Sequence, residues 1–228
     1  MQTASVPSLK VERTSKTLRE LTVEKMKEAI FDGYFKPGER LVERRLCDLL
    51  AVSRSVVREV LRQLESEGLV EVLPQQGPIV ALLSATQASQ IYDIRALLES
   101  RAAGLCAQFA SEQTLQQLHD HNDQIQLAFE QGQLSEVLNK TNVFYELMFQ
   151  GAGMEIAWDI VQTLNARINR LRSLTIASAE RKHQAAQEMR LLVQALIQRD
   201  SQAAEQASMA HVEKVRDIAK QILQRQST

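Results

Sequence analysis

Proline is scarce in this 228-residue chain: Pro7, Pro37, Pro74 and Pro78 are all four, so the last 150 residues contain none. The same stretch holds only four of the eight glycines. These two residues disrupt helix interiors most strongly, so a long segment nearly free of both is expected to be helical. Cysteine is scarcer still. Cys47 and Cys106 stand alone without metal-type spacing, which excludes a disulfide scaffold and fits a reducing compartment. No apolar run approaches the roughly 20 residues that span a membrane. The polar start, MQTASVPSLKVERTSK, has no apolar leader core. A cytoplasmic chain with no membrane partner is therefore expected, with residues 1–15 as a flexible arm. Charge of one sign is also lacking, since the net charge is −1. That average argues only weakly against nucleic acid, because it can hide a local basic surface.

What is present divides into two parts. From Thr17 to Asp32, Leu18, Leu21, Met26, Ala29 and Ile30 recur at helical spacing, with Gly33 as a stop. A turn on Pro37-Gly38 leads to a short helix over Val42–Leu50 with Leu46, Leu49 and Leu50 inward. Ser53 caps a third helix, Arg54–Glu67, whose apolar face is Val56, Val57, Val60, Leu61 and Leu64 and whose stop is Gly68. Residues 69–73 and 79–83 read as strands on either side of the turn Pro74-Gln-Gln-Gly-Pro78. Three helices and a hairpin make a winged helix–turn–helix. Ser84-Ala-Thr-Gln87 then has the form of a capping box. It opens six expected helices at 86–110, 113–130, 134–150, 154–178, 181–199 and 201–226. The fold class is thus mainly α, with a winged helix–turn–helix over 16–83 and an all-α bundle over 84–228.

Charge is concentrated in the first part. Residues 44–62 carry five arginines (Arg44, Arg45, Arg54, Arg58, Arg62) against Asp48 and Glu59, a net of +3. Any one exposed arginine is usually a solvated side chain. Here three of them repeat every four residues on a helix with a serine cap, after a short helix and before a hairpin. A helix–turn–helix reader needs that arrangement, with base-contacting groups in the first turns of its second helix. Ser53, Arg54, Ser55 and Arg58 hold those positions. No nucleophile–base pair, Gly-rich phosphate loop, His-Glu-x-x-His or Gly-x-Ser-x-Gly is visible, so no enzyme is expected.

Gly38-Glu-Arg-Leu41, Leu49-Leu-Ala-Val-Ser-Arg-Ser-Val-Val-Arg-Glu-Val-Leu61, Leu64-Glu-Ser-Glu-Gly-Leu-Val70 and Pro74-Gln-Gln-Gly77…Val80 closely resemble the DNA-binding domain of GntR-family bacterial transcription regulators. The all-helical remainder is similar to the effector domain called FCD. The resemblance implies that Arg44, Arg54, Ser55 and Arg58 contact DNA, that Ser53 caps or touches a phosphate, and that Gly77 brings the wing backbone close to the minor groove. It also implies a homodimer on a pseudo-palindromic double-stranded operator, with a small-molecule effector. The expected role is a ligand-responsive regulator, a repressor of a metabolic operon; the alternative is a winged-helix adaptor or oligomerisation protein.

Many proteins of that branch hold a divalent metal with one aspartate and three histidines. The corresponding segments here are Thr141-Asn-Val-Phe-Tyr145, Glu188-Met189 and Met209-Ala-His211. Thr141, Tyr145 and Met189 replace three ligands and only His211 remains, so no tightly bound metal and no cofactor is expected. The same positions can line a pocket, or Tyr145 and His211 can be satisfied core residues. Arg95, between Ile91 and Leu98 on an inward face, either pairs with Glu99 or receives the carboxylate of an effector. Asn165, Arg167, Asn169 and Arg172 add polar candidates. His119, His121 and His183 read as surface residues.

Overall fold

Helix α1 (Leu18–Phe31) starts where Thr17 and Glu20 form a reciprocal capping box. In this computed structural model, residues 16–176 and 179–226 are described, without the side chains of 179–183 and 226. The expected arm over 1–15, the His183 side chain and the last residues of the expected helix 154–178 fall outside the described residues. Helix α1 buries Val23, Met26 and Ile30. Leu18 and Leu21, which recur at the same spacing, are exposed, because Leu18 lies a turn beyond the core and Leu21 is off the buried stripe. Helix α2 (Glu43–Leu50) buries Leu46, leaves Leu49 exposed against expectation, and ends at Ala51 in the left-handed region. Helix α3 (Arg54–Ser66) is capped by Ser53, whose hydroxyl accepts from the Val56 amide at 3.4 Å. Its buried face is Val57, Val60, Leu61 and Leu64.

Strands β1 (Val70–Leu73) and β2 (Gly77–Val80) pair antiparallel, Val70 opposite Val80 and Leu73 opposite Gly77. The second strand was expected at 79–83. It starts two residues earlier because the turn is tight: Gln75 (φ 65°) and Gly77 (φ 78°) both take the left-handed region and reverse the chain within Pro74–Gln76. The other edge of β2 is also covered. Gly38 donates to the Val80 carbonyl at 2.9 Å, Val80 to Glu39 at 2.9 Å and Leu41 to Pro78 at 2.8 Å. The segment read only as a turn on Pro37-Gly38 is therefore a third lane of the wing.

Six helices follow, each within two residues of expectation at its ends: α4 (Ala85–Phe109), α5 (Glu112–Glu130), α6 (Leu134–Gly151), α7 (Glu155–Ile176), α8 (Ala179–Ile197) and α9 (Ser201–Gln226). The expected capping box opens α4, with Ser84 and Gln87 exchanging bonds. Helix α4 lies along α9, and one core runs through the bundle, with Phe144, Met148 and Phe149 of α6 buried in it and Trp158 of α7 packed on Phe149. No described helix is long and apolar enough to cross a membrane. Helix α7 has a double attachment. Its Ala166 is buried in the core of the winged domain, while Leu171 belongs to the bundle core.

The bundle core also contains an ion pair on α4. Arg95 Nε donates to Glu99 Oε1 at 2.7 Å and Nη2 to Oε2 at 3.1 Å, both residues being 1% exposed. Removing one member of such a pair leaves the other charged and dry, which typically costs about 3–5 kcal/mol. Glu99→Ala is expected to lose about that much stability in urea unfolding. The double change Arg95→Met with Glu99→Met is expected to lose less than Glu99→Ala alone; a loss under about 1 kcal/mol in Glu99→Ala would contradict a closed pair.

Candidate functional site

The first candidate is the outer face of α2 and α3. Arg44, Ser53, Arg54, Ser55, Arg58 and Arg62 are all exposed, as the four-residue spacing on α3 requires once Val57, Val60, Leu61 and Leu64 turn inward. The Ser53 and Ser55 hydroxyls are 2.8 Å apart. Their guanidinium neighbours are not equivalent. Arg58 is held by Glu43, its Nε 3.0 Å from both carboxylate oxygens, and Arg45 by Glu39 at 3.0 Å. Arg44, Arg54 and Arg62 have no ion-pair partner among the described residues. Glu43 escaped the sequence reading, because only the fold brings α2 beside α3. At the wing tip a Cβ on Gly77 would meet nothing within 4 Å, so that glycine serves its backbone angle and leaves the peptide open to approach.

The second candidate is a cavity of ≈ 50 Å³ within the bundle. Arg95 of α4, Thr141 of α6, Arg172 of α7, Met189 of α8 and His211 of α9 all line it. Five effector candidates from five helices thus meet in one place. Val215, on the face of His211, adds an apolar wall with Ile125, Phe129 and Ile176, which the sequence does not single out. The open alternative for Arg95 resolves towards pairing with Glu99, though Arg95 still lines the cavity. Tyr145 is not in the lining. It is buried behind it, its ring 5.9 Å from the Arg95 guanidinium and 5.1 Å from that of Arg172. Asn165 is also elsewhere: it donates to Gln162 at 3.2 Å. It shares the face of Arg172 but lies two turns, about 10 Å, down the helix.

Charge in this region is unbalanced. Burial opposes the Arg95 cation, but the Glu99 carboxylate overcomes that and holds the guanidinium above its ordinary value. Arg172 receives less from the same carboxylate, which favours its charge without outweighing what opposes it. Burial and then the Arg95 charge push its guanidinium below the ordinary value, and its hydrogen bond goes to a neutral acceptor, Asn169 Oδ1 at 3.2 Å. Burial likewise pushes the Tyr145 phenol up. His211 contacts Glu188 Oε2 through Nδ1 at 2.7 Å, and Glu188 also takes Lys214 at 3.1 Å. His119 has Asp120 and Asp123 within 3.7 and 3.6 Å, and both His119 and His121 are half-buried, less open than expected.

The metal positions of the FCD resemblance therefore do converge, but their chemistry does not suit a metal. A hydroxyl, a thioether and one imidazole already on a carboxylate face the cavity, with a phenol behind them. Soft and neutral donors of this mixture give neither a zinc nor a hard-cation set. Among the described residues no group of three His, Cys, Asp or Glu gathers anywhere.

Helix α7 ties the two candidates together. Arg167 lies directly against Gly68, the residue with φ +72° that ends α3, where a Cβ would overlap the guanidinium. Arg170 is buried, its charge disfavoured by desolvation and favoured by Glu71 of β1.

Comparison with known proteins agrees with both halves. The profile described as bacterial regulatory proteins, gntR family, matches residues 18–80, and that of the FCD domain matches 90–214. The HTH-type transcriptional repressor RspR of Escherichia coli K12 is 29% identical over 191 residues, 84% of each chain. The uncharacterised HTH-type regulator YdhC of Bacillus subtilis is 30% identical over 187 residues, 82% of this chain and 84% of its own. The solved structure of E. coli McbR/YncC superposes with a TM-score of 0.73 at 25% identity, covering 94% of this chain and all of that one. With its winged helix–turn–helix and all-α FCD domain, the chain belongs to the GntR family of DNA-binding transcription regulators.

Proposed function

We propose that this GntR-family regulator is a cytoplasmic, non-catalytic repressor that binds a pseudo-palindromic operator as a homodimer and is controlled by a small organic acid in the bundle cavity. In this reading the chain divides into an arm (1–15), a DNA-reading domain (16–83) and an effector and dimerisation domain (84–228). The repressor role follows the naming of the relative RspR. A two-fold dimer doubles a basic face that is small on one chain.

On the winged domain, Arg54 and Ser55 at the start of α3 and Arg58 one turn later are assigned to base edges. Arg44, Ser53 and the Gly77 backbone are assigned to the phosphates and the minor groove. Arg58 must exchange Glu43 for DNA, whereas Arg54 starts free. The same cost makes Arg58 selective, since only a partner as good as a carboxylate releases it.

The observation that carries ligand control is the double attachment of α7. Arg172 lines the cavity, while Ala166 and Arg167 of the same helix are packed on the winged domain and Arg170 feels the charge of Glu71 there. Arg172 and Arg167 are five residues apart, about 7.5 Å along a rigid helix. A ligand that moves or stiffens α7 acts on Gly68 and hence on the end of the reading helix. Coupling of this kind is typically worth ~1–3 kcal/mol, which is enough to release an operator.

Operator fragments selected from the organism's own DNA provide the test. Arg58→Ala is expected to weaken operator binding by about 1–3 kcal/mol and to relax base preference at one position of each half-site. Unchanged operator affinity in the folded variant removes Arg58 from the reading set, and absence of any salt-dependent DNA binding in the wild type favours the adaptor reading. Arg167→Ala is expected to retain operator and effector affinities separately while effector no longer changes operator affinity. Coupling of full size in that variant would dismiss α7 as the route.

A further inference from the structure

We infer that the cavity takes a short carboxylate directly on the Arg172 guanidinium, so that this arginine does the work of holding the anion without a metal ion. The inference rests on reading the cavity as the effector site and assigns its chemistry.

Arg172 is 9% exposed and lines the cavity. Its described contacts are all uncharged acceptors or π-faces: the Asn169 amide oxygen and the ring of Tyr145. The buried carboxylate within reach, Glu99, is already gripped at both oxygens by Arg95. Two guanidiniums therefore share the charge of one carboxylate. An arginine does not escape by losing its proton, so the excess cation remains in a dry site where it is costly. An entering carboxylate removes that cost and gains a charge-assisted, planar match to the guanidinium.

The cavity also limits the rest of the ligand. At ≈ 50 Å³ it has room for about four water-sized positions, which suits an acid of a few non-hydrogen atoms. Its remaining wall is largely aliphatic and aromatic, with the Thr141 and Thr175 hydroxyls, His211 and the Glu99-paired Arg95 as polar groups. A short, compact acid with one hydroxyl or keto group fits that lining. Met189 adds a thioether to the lining, which does not hold a hard or borderline cation.

The full-length protein, kept in EDTA at constant ionic strength, is heated with acetate, glycolate, lactate and pyruvate, and in parallel with the neutral amides of the same acids. At least one acid is expected to raise Tm by several degrees without added metal, and its amide to leave Tm unchanged. Arg172→Gln is expected to unfold at the wild-type temperature or above it without ligand, because an uncompensated charge has gone, and to show no acid-dependent shift. Arg172→Lys is expected to keep a reduced shift. A shift that survives Arg172→Gln, or one that appears only after zinc or nickel is added, overturns the assignment to Arg172 and leaves an organic-acid effector standing. Equal shifts from acids and amides overturn the organic-acid reading itself, and no shift with any of the acids overturns the inference.

Discussion

Two buried guanidiniums face one buried carboxylate in the middle of the bundle, and much else in the structure depends on that imbalance. Arg95 and Glu99 close on each other within α4 and make a neutral unit that the core can hold. Arg172 enters from α7 without a carboxylate of its own, and both guanidiniums lie near the ring of Tyr145. A domain selected for stability alone would gain by replacing it with an apolar side chain. Its presence beside a cavity is what the proposed carboxylate site would account for.

Where Arg172 sits on its helix gives the imbalance a consequence. The C-terminal half of α7 forms the cavity wall, and the segment around Ala166 is part of the winged domain's own core. No flexible linker has to carry a signal between the two, because one helix is shared. The contact at its far end is on Gly68, whose lack of a side chain both permits the left-handed end of α3 and leaves room for Arg167. On the exposed face of α2 and α3, Arg54 has no ion-pair partner among the described residues while Arg58 is paired with Glu43, so the face proposed to read DNA is held at one of its arginines.

Much of this was legible in the sequence, for physical reasons that also mark its limits. Capping residues Ser53 and Ser84, the stops at Gly33 and Gly68, and apolar spacing locate the helices because these signals are local. The lane over 38–41 was missed because its hydrogen bonds go to β2, some forty residues away. Leu49 reads as inward from the sequence but is exposed, because periodicity shows which residues share a face but not where the neighbouring core ends. The converging set Arg95, Thr141, Arg172, Met189 and His211 was found through the family pattern and helix phase. Of the four polar candidates on α7 only Arg172 lines the cavity, since residue type on a helix does not report distance along its axis. Neither the capture of Glu99 by Arg95 as against a ligand, nor Arg167 on Gly68, nor Glu43 on Arg58 could be decided before the helices were packed.

Thermodynamic reciprocity gives the most direct measurement of the central claim, that one helix joins an anion site to the reading helix. If an acid bound at Arg172 alters operator affinity by some factor, operator must alter the affinity for that acid by the same factor. Calorimetric titration of a stabilising carboxylate into the protein, free and saturated with operator, is predicted to give two affinities whose ratio equals the acid-induced change in operator affinity. Equal carboxylate affinities in the free and operator-bound protein would contradict the account.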